Sequence, residues 1–200
     1  MSVLSLQHLQ RALETGAVQV VPRPRFGPKQ TGEASIDLRL GRWFRTFRQS
    51  RMSLLDVVES DDVSRSEARL TKEYFVRFDE NFVLHPGKFV LGITLEWLGL
   101  PARMAGYVTG KSSWGRRGLI IETAAGIHPG FKGCLTLELT NVGEVPIALQ
   151  PGIRICQVFL HGVKEPGKET RGQFTGRRKP VLGRLVPDEV VKKLRGAKKR

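Results

Sequence analysis

The chain has 200 residues, 40% of them hydrophobic, with 33 Lys and Arg against 19 Asp and Glu, a net charge of +14. That length and apolar content fit one folded domain with a tail, and the positive excess asks for an anionic partner or a locally basic appendage. No run reaches about 18 apolar residues and no basic start leads into an apolar signal segment, so a membrane helix is excluded and a soluble, cytoplasmic protein is predicted.

Leu6, Leu9 and Leu13 recur at helical spacing, with Ser5 to cap the start and Gly16 the end, which predicts a short amphipathic helix over residues 5–15. Strand signals then take over. Val18 to Val21 is mostly β-branched, and Ser35 to Leu40 alternates as SIDLRL. Short apolar runs follow at Tyr74 to Phe78, Phe89 to Leu95, Ala105 to Val108, Leu119 to Ile121, Leu135 to Leu139 and Ile153 to Phe159. Breakers such as His85-Pro86-Gly87, His128-Pro129-Gly130 and Gln150-Pro151-Gly152 separate them. Many short strands punctuated in this way predict an all-β sandwich or barrel. Ser50 to Arg69, polar and charged, reads as a long surface excursion, and Pro187 to Arg200 as a short basic helix starting after Asp188.

Cys134 and Cys156 both sit in apolar runs, as reduced thiols acting as small core residues do. Most of the excess charge is C-terminal: Lys164 to Arg200 holds thirteen Lys and Arg and four Asp and Glu, a net of +9.

Chemistry concentrates between Gly110 and Leu139. Lys111, Ser112, Ser113 and Arg116 put two cations and two hydroxyls in one hexapeptide beside glycines. Such a cluster suits a phosphate chain, although a polar turn on a basic surface has the same composition. The spacing GxxxxGK[ST] of a Walker loop is absent. In Leu135 to Leu139, alternation sends Leu135, Leu137 and Leu139 to one face and Thr136 and Glu138 to the other. By periodicity alone, Glu138 is a solvated carboxylate. Zinc deaminases need a His or Cys followed two residues later by Glu, and a distant PCxxC. Here the cysteines lie 22 residues apart outside such motifs, and His8, His85, His128 and His161 form no ligand pair, so any hydrolysis is expected to use a side-chain base without zinc.

Five collinear segments resemble the dCTP deaminases of the dUTPase-like superfamily: SIDLRLG at Ser35 to Gly41, FVLHPGKFVLG at Phe82 to Gly92, GKSSWGRRGL at Gly110 to Leu119, HPGFKGCLTLELTN at His128 to Asn141 and PGIRICQ at Pro151 to Gln157. The resemblance runs from the N-terminal helix to about Leu185. It implies an all-β, distorted β-barrel of β-clip, jelly-roll-like type with a short N-terminal helix and peripheral helical turns. The implied domain spans 1–186, with 166–186 as a nucleotide-covering lid and 187–200 as a basic tail. It further implies a homotrimer with active sites at subunit interfaces, dCTP as substrate, and Mg2+ carried by the nucleotide triphosphate. Within that resemblance Glu138 activates water for attack on C4 of cytosine, while Ser112 and Arg116 hold and polarise the reacting groups. Lys111, Ser112 and Ser113, in the turn that includes Trp114 and Gly115, lie along the phosphates. Thr136, Leu137 and Glu138 contact base and sugar, Gln157 binds nucleotide, and the Ala125 carbonyl directs the leaving amine. A desolvated carboxylate suits this proton shuttling.

The departures from the family are as informative. His128 stands where the family has an aspartate that contacts the sugar, and whose dUTPase counterpart prepares the water that attacks the α-phosphate. An imidazole does not replace an anionic base, so His128 argues for deamination to dUTP and ammonia without diphosphate cleavage. It either donates to the 3′-hydroxyl or simply fills a turn. The segment Glu122 to Gly126 is one residue short. The lid pattern Lys-Tyr-x-x-Gln is here Gln173-Phe174-Thr175-Gly176-Arg177, with Phe174 lacking the hydroxyl and Arg177 and Arg178 offering guanidinium groups to phosphate. A bifunctional enzyme giving dUMP is the alternative within the enzyme class. Outside it, the altered lid, His128 and the basic tail fit a nucleotide-binding regulator, an option that the retained Glu138, Ser112 and Arg116 oppose.

The tail lacks interleaved aromatic residues and reads as a solvating end with, at most, nonspecific nucleic-acid contact. Any RNA or DNA affinity is therefore expected to fall steeply with salt and to vanish on truncation after Pro187, in a mobility-shift titration.

Overall fold

A computed structural model describes residues 3–24, 33–48, 70–122, 126–166, 172–183 and 189–197. The predicted excursion Ser50 to Arg69 lies outside them. The elements in order are α1 (Leu6–Glu14), β1 (Gln19–Val21), β2 (Ile36–Arg39), β3 (Trp43–Phe47), β4 (Thr71–Phe75), β5 (Phe82–Leu84), β6 (Phe89–Gly99), β7 (Met104–Gly110), α2 (Ser112–Gly115), β8 (Leu119–Glu122), β9 (Gly126–Ile127), β10 (Lys132–Asn141), β11 (Ile147–Leu149), β12 (Arg154–Gly162) and α3 (Glu189–Ala197).

The all-β class holds. The sheets are packed around one core and do not close into the expected barrel. One sheet runs β4-β3-β6-β10-β8, with β1 also pairing β6; a second runs β2-β12-β7-β9; β11 and β5 form a ribbon. A bridge between Leu40 and Thr94 links the two larger sheets. The core includes Leu9 of α1 together with Leu38, Phe44, Val90, Leu137, Leu139, Ile155 and Val158 from strands of both larger sheets. Each such side chain contributes about 1.5–3 kcal/mol by leaving water.

Helix α1 forms where its leucine spacing places it and ends at Thr15, with Gly16 following at φ +74°. Ser5 does not cap through its side chain; its hydroxyl meets His8 Nδ1 at 2.8 Å. Strand β3 escapes the apolar pattern because Arg45 interrupts it. Folding buries Arg45 by giving its guanidinium the Pro180 carbonyl at 2.9 Å, the Thr71 hydroxyl at 3.1 Å and the Glu73 carboxylate. Strand β4 starts three residues before the predicted run at 74–78 and ends at Phe75; Phe75 and Phe78 both lie against the Arg42 guanidinium, their ring centres 4.2 and 4.6 Å from its carbon. Cys134 and Cys156 are free and buried, and burial pushes both thiols up. The basic terminal helix is present as α3.

Strand β2 departs most from its apparent alternation: Ile36, Asp37 and Leu38 are all buried. Its next residue, Arg39, donates its backbone N–H at 2.7 Å and its guanidinium at 3.1 Å to Glu96 of β6, a carboxylate only 1% exposed. Burial raises the Glu96 pKa above its ordinary 4.5, and the bonds from Arg39 offset part of that rise. The folded state therefore binds this proton more tightly than the unfolded chain. The group's stabilising contribution is fully present below pH 4.5 and is lost as pH rises through the raised folded value. Urea titrations across that window should show Glu96→Gln gaining stability relative to the parent as pH rises; a difference independent of pH would refute this account.

Candidate active site

The functional residues are positioned chiefly by β10, which pairs β6 along one edge and β8 along the other. Cys134 pairs Trp97, but Thr136 pairs Ile93, so three residues of β6 face the single Leu135. The Thr94 hydroxyl fills the break: it accepts the Leu135 N–H at 2.9 Å and donates to the Glu96 carbonyl at 2.9 Å. At this bulge Leu135 packs against the core that holds Leu137 and Leu139, as alternation predicts, and also reaches the wall of the cavity that Thr136 and Glu138 line. Leu137 is 0% exposed, so its side chain belongs to the core and only its backbone is available to a ligand.

That cavity holds about 400 Å³, in the range of small-molecule sites. Its walls come from Phe47 of β3, Phe89 and Leu91 of β6, Val108 of β7, the turn Ile127 to Pro129, Phe131, the bulged stretch of β10, and Gly172, Phe174, Thr175, Val181 and Leu182 of the lid segment. Glu138, Thr136 and His128 bring a carboxylate, a hydroxyl and an imidazole into an otherwise mainly apolar lining. A flat heteroaromatic ring could be held there, with a carboxylate beside it to move protons.

Residues 172–183 are held by bonds to the rest of the chain. Gly176 N–H donates to the Lys132 carbonyl at 2.7 Å, and Cys134 N–H donates to the Arg177 carbonyl at 3.0 Å. Lys179 reaches Glu73 at 3.2 Å and lies 3.8 Å from the Trp43 ring centre. The Arg178 guanidinium sits 5.1 Å from the Trp97 ring centre. Arg177 turns its Nε to the Gln173 carbonyl at 3.2 Å and does not line the cavity.

The basic turn lies outside this cavity. None of Lys111, Ser112, Ser113, Trp114, Gly115 and Arg116 belongs to the cavity wall. The Trp114 indole donates to the Arg154 carbonyl at 2.8 Å, and Ser112, Ser113 and Arg116 are exposed. Gly118 closes the turn at φ +86°, where a Cβ would come within 2.7 Å of the Gly143 backbone, so only glycine fits. Gln157 stands near this turn, opposite Asp37 in the β2–β12 register, and its side-chain carbonyl accepts the Ser35 hydroxyl at 3.5 Å. Ala125 lies outside the described residues.

The structure thus gathers Thr136, Glu138, His128 and Phe174, and keeps Lys111 to Arg116, Gln157 and Arg177 out of that cavity. Sequence reasoning missed Phe47, Phe89, Phe131, Cys134 and Leu135 as walls. Only the Leu135 position had a signal, in the Thr-x-Glu of β6, and that signal is intelligible only once the strands are paired. Among the described residues, no three His, Cys, Asp or Glu converge as a metal-binding group, and no helix is long and apolar enough to cross a membrane.

The fold and cavity define an all-β protein with a carboxylate set into a nucleoside-sized, largely apolar pocket. A model of dCTP deaminase-like proteins matches residues 3–163, and the chain belongs to that family. A relative from Parafrankia sp. named "dCTP deaminase, dUMP-forming" is 43% identical over 177 residues, covering 83% of this chain and 85% of its own. One from Natronomonas pharaonis named "dCTP deaminase" is 36% identical over 194 residues, covering 93% and 96%. In fold, the chain is similar to the crystal structure of 2′-deoxycytidine 5′-triphosphate deaminase from Agrobacterium tumefaciens, with a TM-score of 0.59 at 24% identity, over 79% of this chain and 47% of that one.

Proposed function

We propose that this protein hydrolyses the C4–N bond of dCTP, giving dUTP and ammonia, with Glu138 as the acid–base residue. The observation that carries the reading is Glu138 in the wall of a mainly apolar cavity, in a chain of the dCTP deaminase-like family. As water attacks C4, Glu138 takes one of its protons and passes it to N3, leaving a tetrahedral centre that carries a hydroxyl and the amino group. Glu138 then takes the hydroxyl proton and gives it to the amino group, so that collapse breaks the C4–N bond, ammonia leaves and the carbonyl of uracil forms. Magnesium enters with the triphosphate as part of the substrate.

Strand geometry supports the base-binding part of this reading. Backbone polar groups alternate between the edges of a strand, so Thr136 presents its N–H and C=O toward the same edge as Cys134, whose N–H bonds the lid. A cytosine in the cavity would meet that edge. The exposed Ser112, Ser113 and Arg116, remote from the walls in a single protomer, fit a homotrimer in which a neighbour's turn completes the site.

A second reading, release of dUMP and pyrophosphate, is favoured by the dUMP-forming name of the Parafrankia relative and of relatives from Corynebacterium species. His128 weighs against it, because an imidazole at the cavity wall does not provide the anionic base for attack on phosphorus.

Incubation of the pure protein with dCTP and magnesium should yield dUTP and free ammonia. Appearance of dUMP with pyrophosphate would select the second reading, and no turnover of any cytosine nucleotide would sink both. Glu138→Gln should lower kcat by about 10²–10⁴-fold or more while dCTP binding is nearly retained; calorimetric binding beside a turnover assay checks this.

A further inference from the structure

Asp37 is 7% exposed at the seam between β2 and β12, yet three cationic and polar groups converge on that seam from other parts of the chain. The Lys111 ammonium lies 2.7 Å from each of its carboxylate oxygens. The Arg154 guanidinium stands 3.7 Å from one of them. Gln157 is directly across the ladder. The Lys111 side chain is itself only 26% exposed, folded back into the protein and away from solvent. By contrast Ser112, Ser113 and Arg116, the neighbouring residues of the turn, are exposed.

We propose that Asp37 is the positioning residue of the basic turn, and that Lys111 acts through Asp37 as an internal strut rather than as a direct phosphate ligand. This rests on the reading of the turn as part of the dCTP site. Two features argue for the division of labour. A carboxylate removed from water needs a fixed counter-charge, and with both of its oxygens on one ammonium, Asp37 holds Lys111 in a single geometry. The turn itself is one short helical segment, α2, with little stability of its own. It is tied to the start of β12 by Lys111 N–H to the Ile155 carbonyl at 3.4 Å and by the Trp114 indole. The Asp37–Lys111 pair adds the charged tie to β2, so one strand pair sets the position of the turn and of Gln157 together.

The test uses Asp37→Asn, Lys111→Met and the double variant of the full-length protein, with hydrogen exchange of the peptide spanning the turn in nucleotide-free protein, and calorimetric dCTP–magnesium affinity. A strut predicts that both single variants speed exchange in the turn and weaken dCTP binding by similar factors, about tenfold or more, and that the double variant is no worse than the worse single one. Global melting separates local loosening from general unfolding, and Lys111→Arg, whose guanidinium can also pair with the carboxylate, should restore protection. If Asp37→Asn does not fold, the Lys111 variants still decide the matter through exchange in the turn. The proposal is overturned if Lys111→Met weakens dCTP binding while exchange in the turn stays at the parental rate, or if Asp37→Asn leaves affinity unchanged or improved. If the parent protein binds no dCTP, the functional reading fails, whereas exchange in the turn still reports on the strut.

Discussion

The register break where β10 meets Thr94 to Glu96 of β6 governs the rest of the site. A strand between two neighbours has one face for the core and one for everything else, and alternation sends Leu135 to the same side as Leu137, against the core. At the break Leu135 also reaches the cavity between Cys134 and Thr136, while Leu137 and Leu139 remain fully buried beyond it. Its support is a side chain, the Thr94 hydroxyl, which accepts one N–H and donates to one carbonyl in place of the missing ladder bonds. A buried donor left unsatisfied there would cost about 1–3 kcal/mol, comparable to a sizeable share of a domain's net stability.

The same part of β6 carries the second constraint. Glu96 follows the break and turns its carboxylate onto Arg39 of the other sheet, so an ion pair and a backbone N–H join two sheets that otherwise meet through side-chain packing and the Leu40–Thr94 bridge. Two strand positions further back, Asp37 does the equivalent for the basic turn. Desolvating a carboxylate costs several kcal/mol, and such pairs are better regarded as devices that fix geometry than as sources of net stability. Their placement fits this view: one lies behind the cavity wall and the other behind the turn.

How far the sequence could be read follows from the same physics. Leucine spacing revealed α1, and the apolar runs with Pro-Gly breakers revealed the longer strands, because those signals are local. Strand β3 was hidden by Arg45, whose compensation comes from Glu73 and Pro180, distant in the chain. The alternation in SIDLRL suggested an outward Asp37, and the partner that makes burial tolerable, Lys111, is 74 positions away. Glu138 had the pattern of an ordinary solvated carboxylate and stood out only through resemblance to a family. That Leu135 reaches the cavity wall as well as the core is hidden, because the bulge is written in Thr94, on another strand. In each case the missing information was a long-range pairing.

The position of the cavity can be argued from β10's second edge. Near its start, at Lys132 and Cys134, that edge is taken by backbone bonds to Gly176 and Arg177 of the lid segment. Farther on, from Glu138, it is taken by β8. Between these two points β10 has no strand partner on that edge among the described residues, and the cavity lies there, roofed by Phe174 and floored by the bulge. Covering the ends of an exposed edge limits unwanted strand addition, while an uncovered middle leaves a short length of backbone to recognise a planar ligand. Residues 172–183 therefore define the slot, and the acidic group at its far end, Glu138, sits at the point where strand pairing resumes.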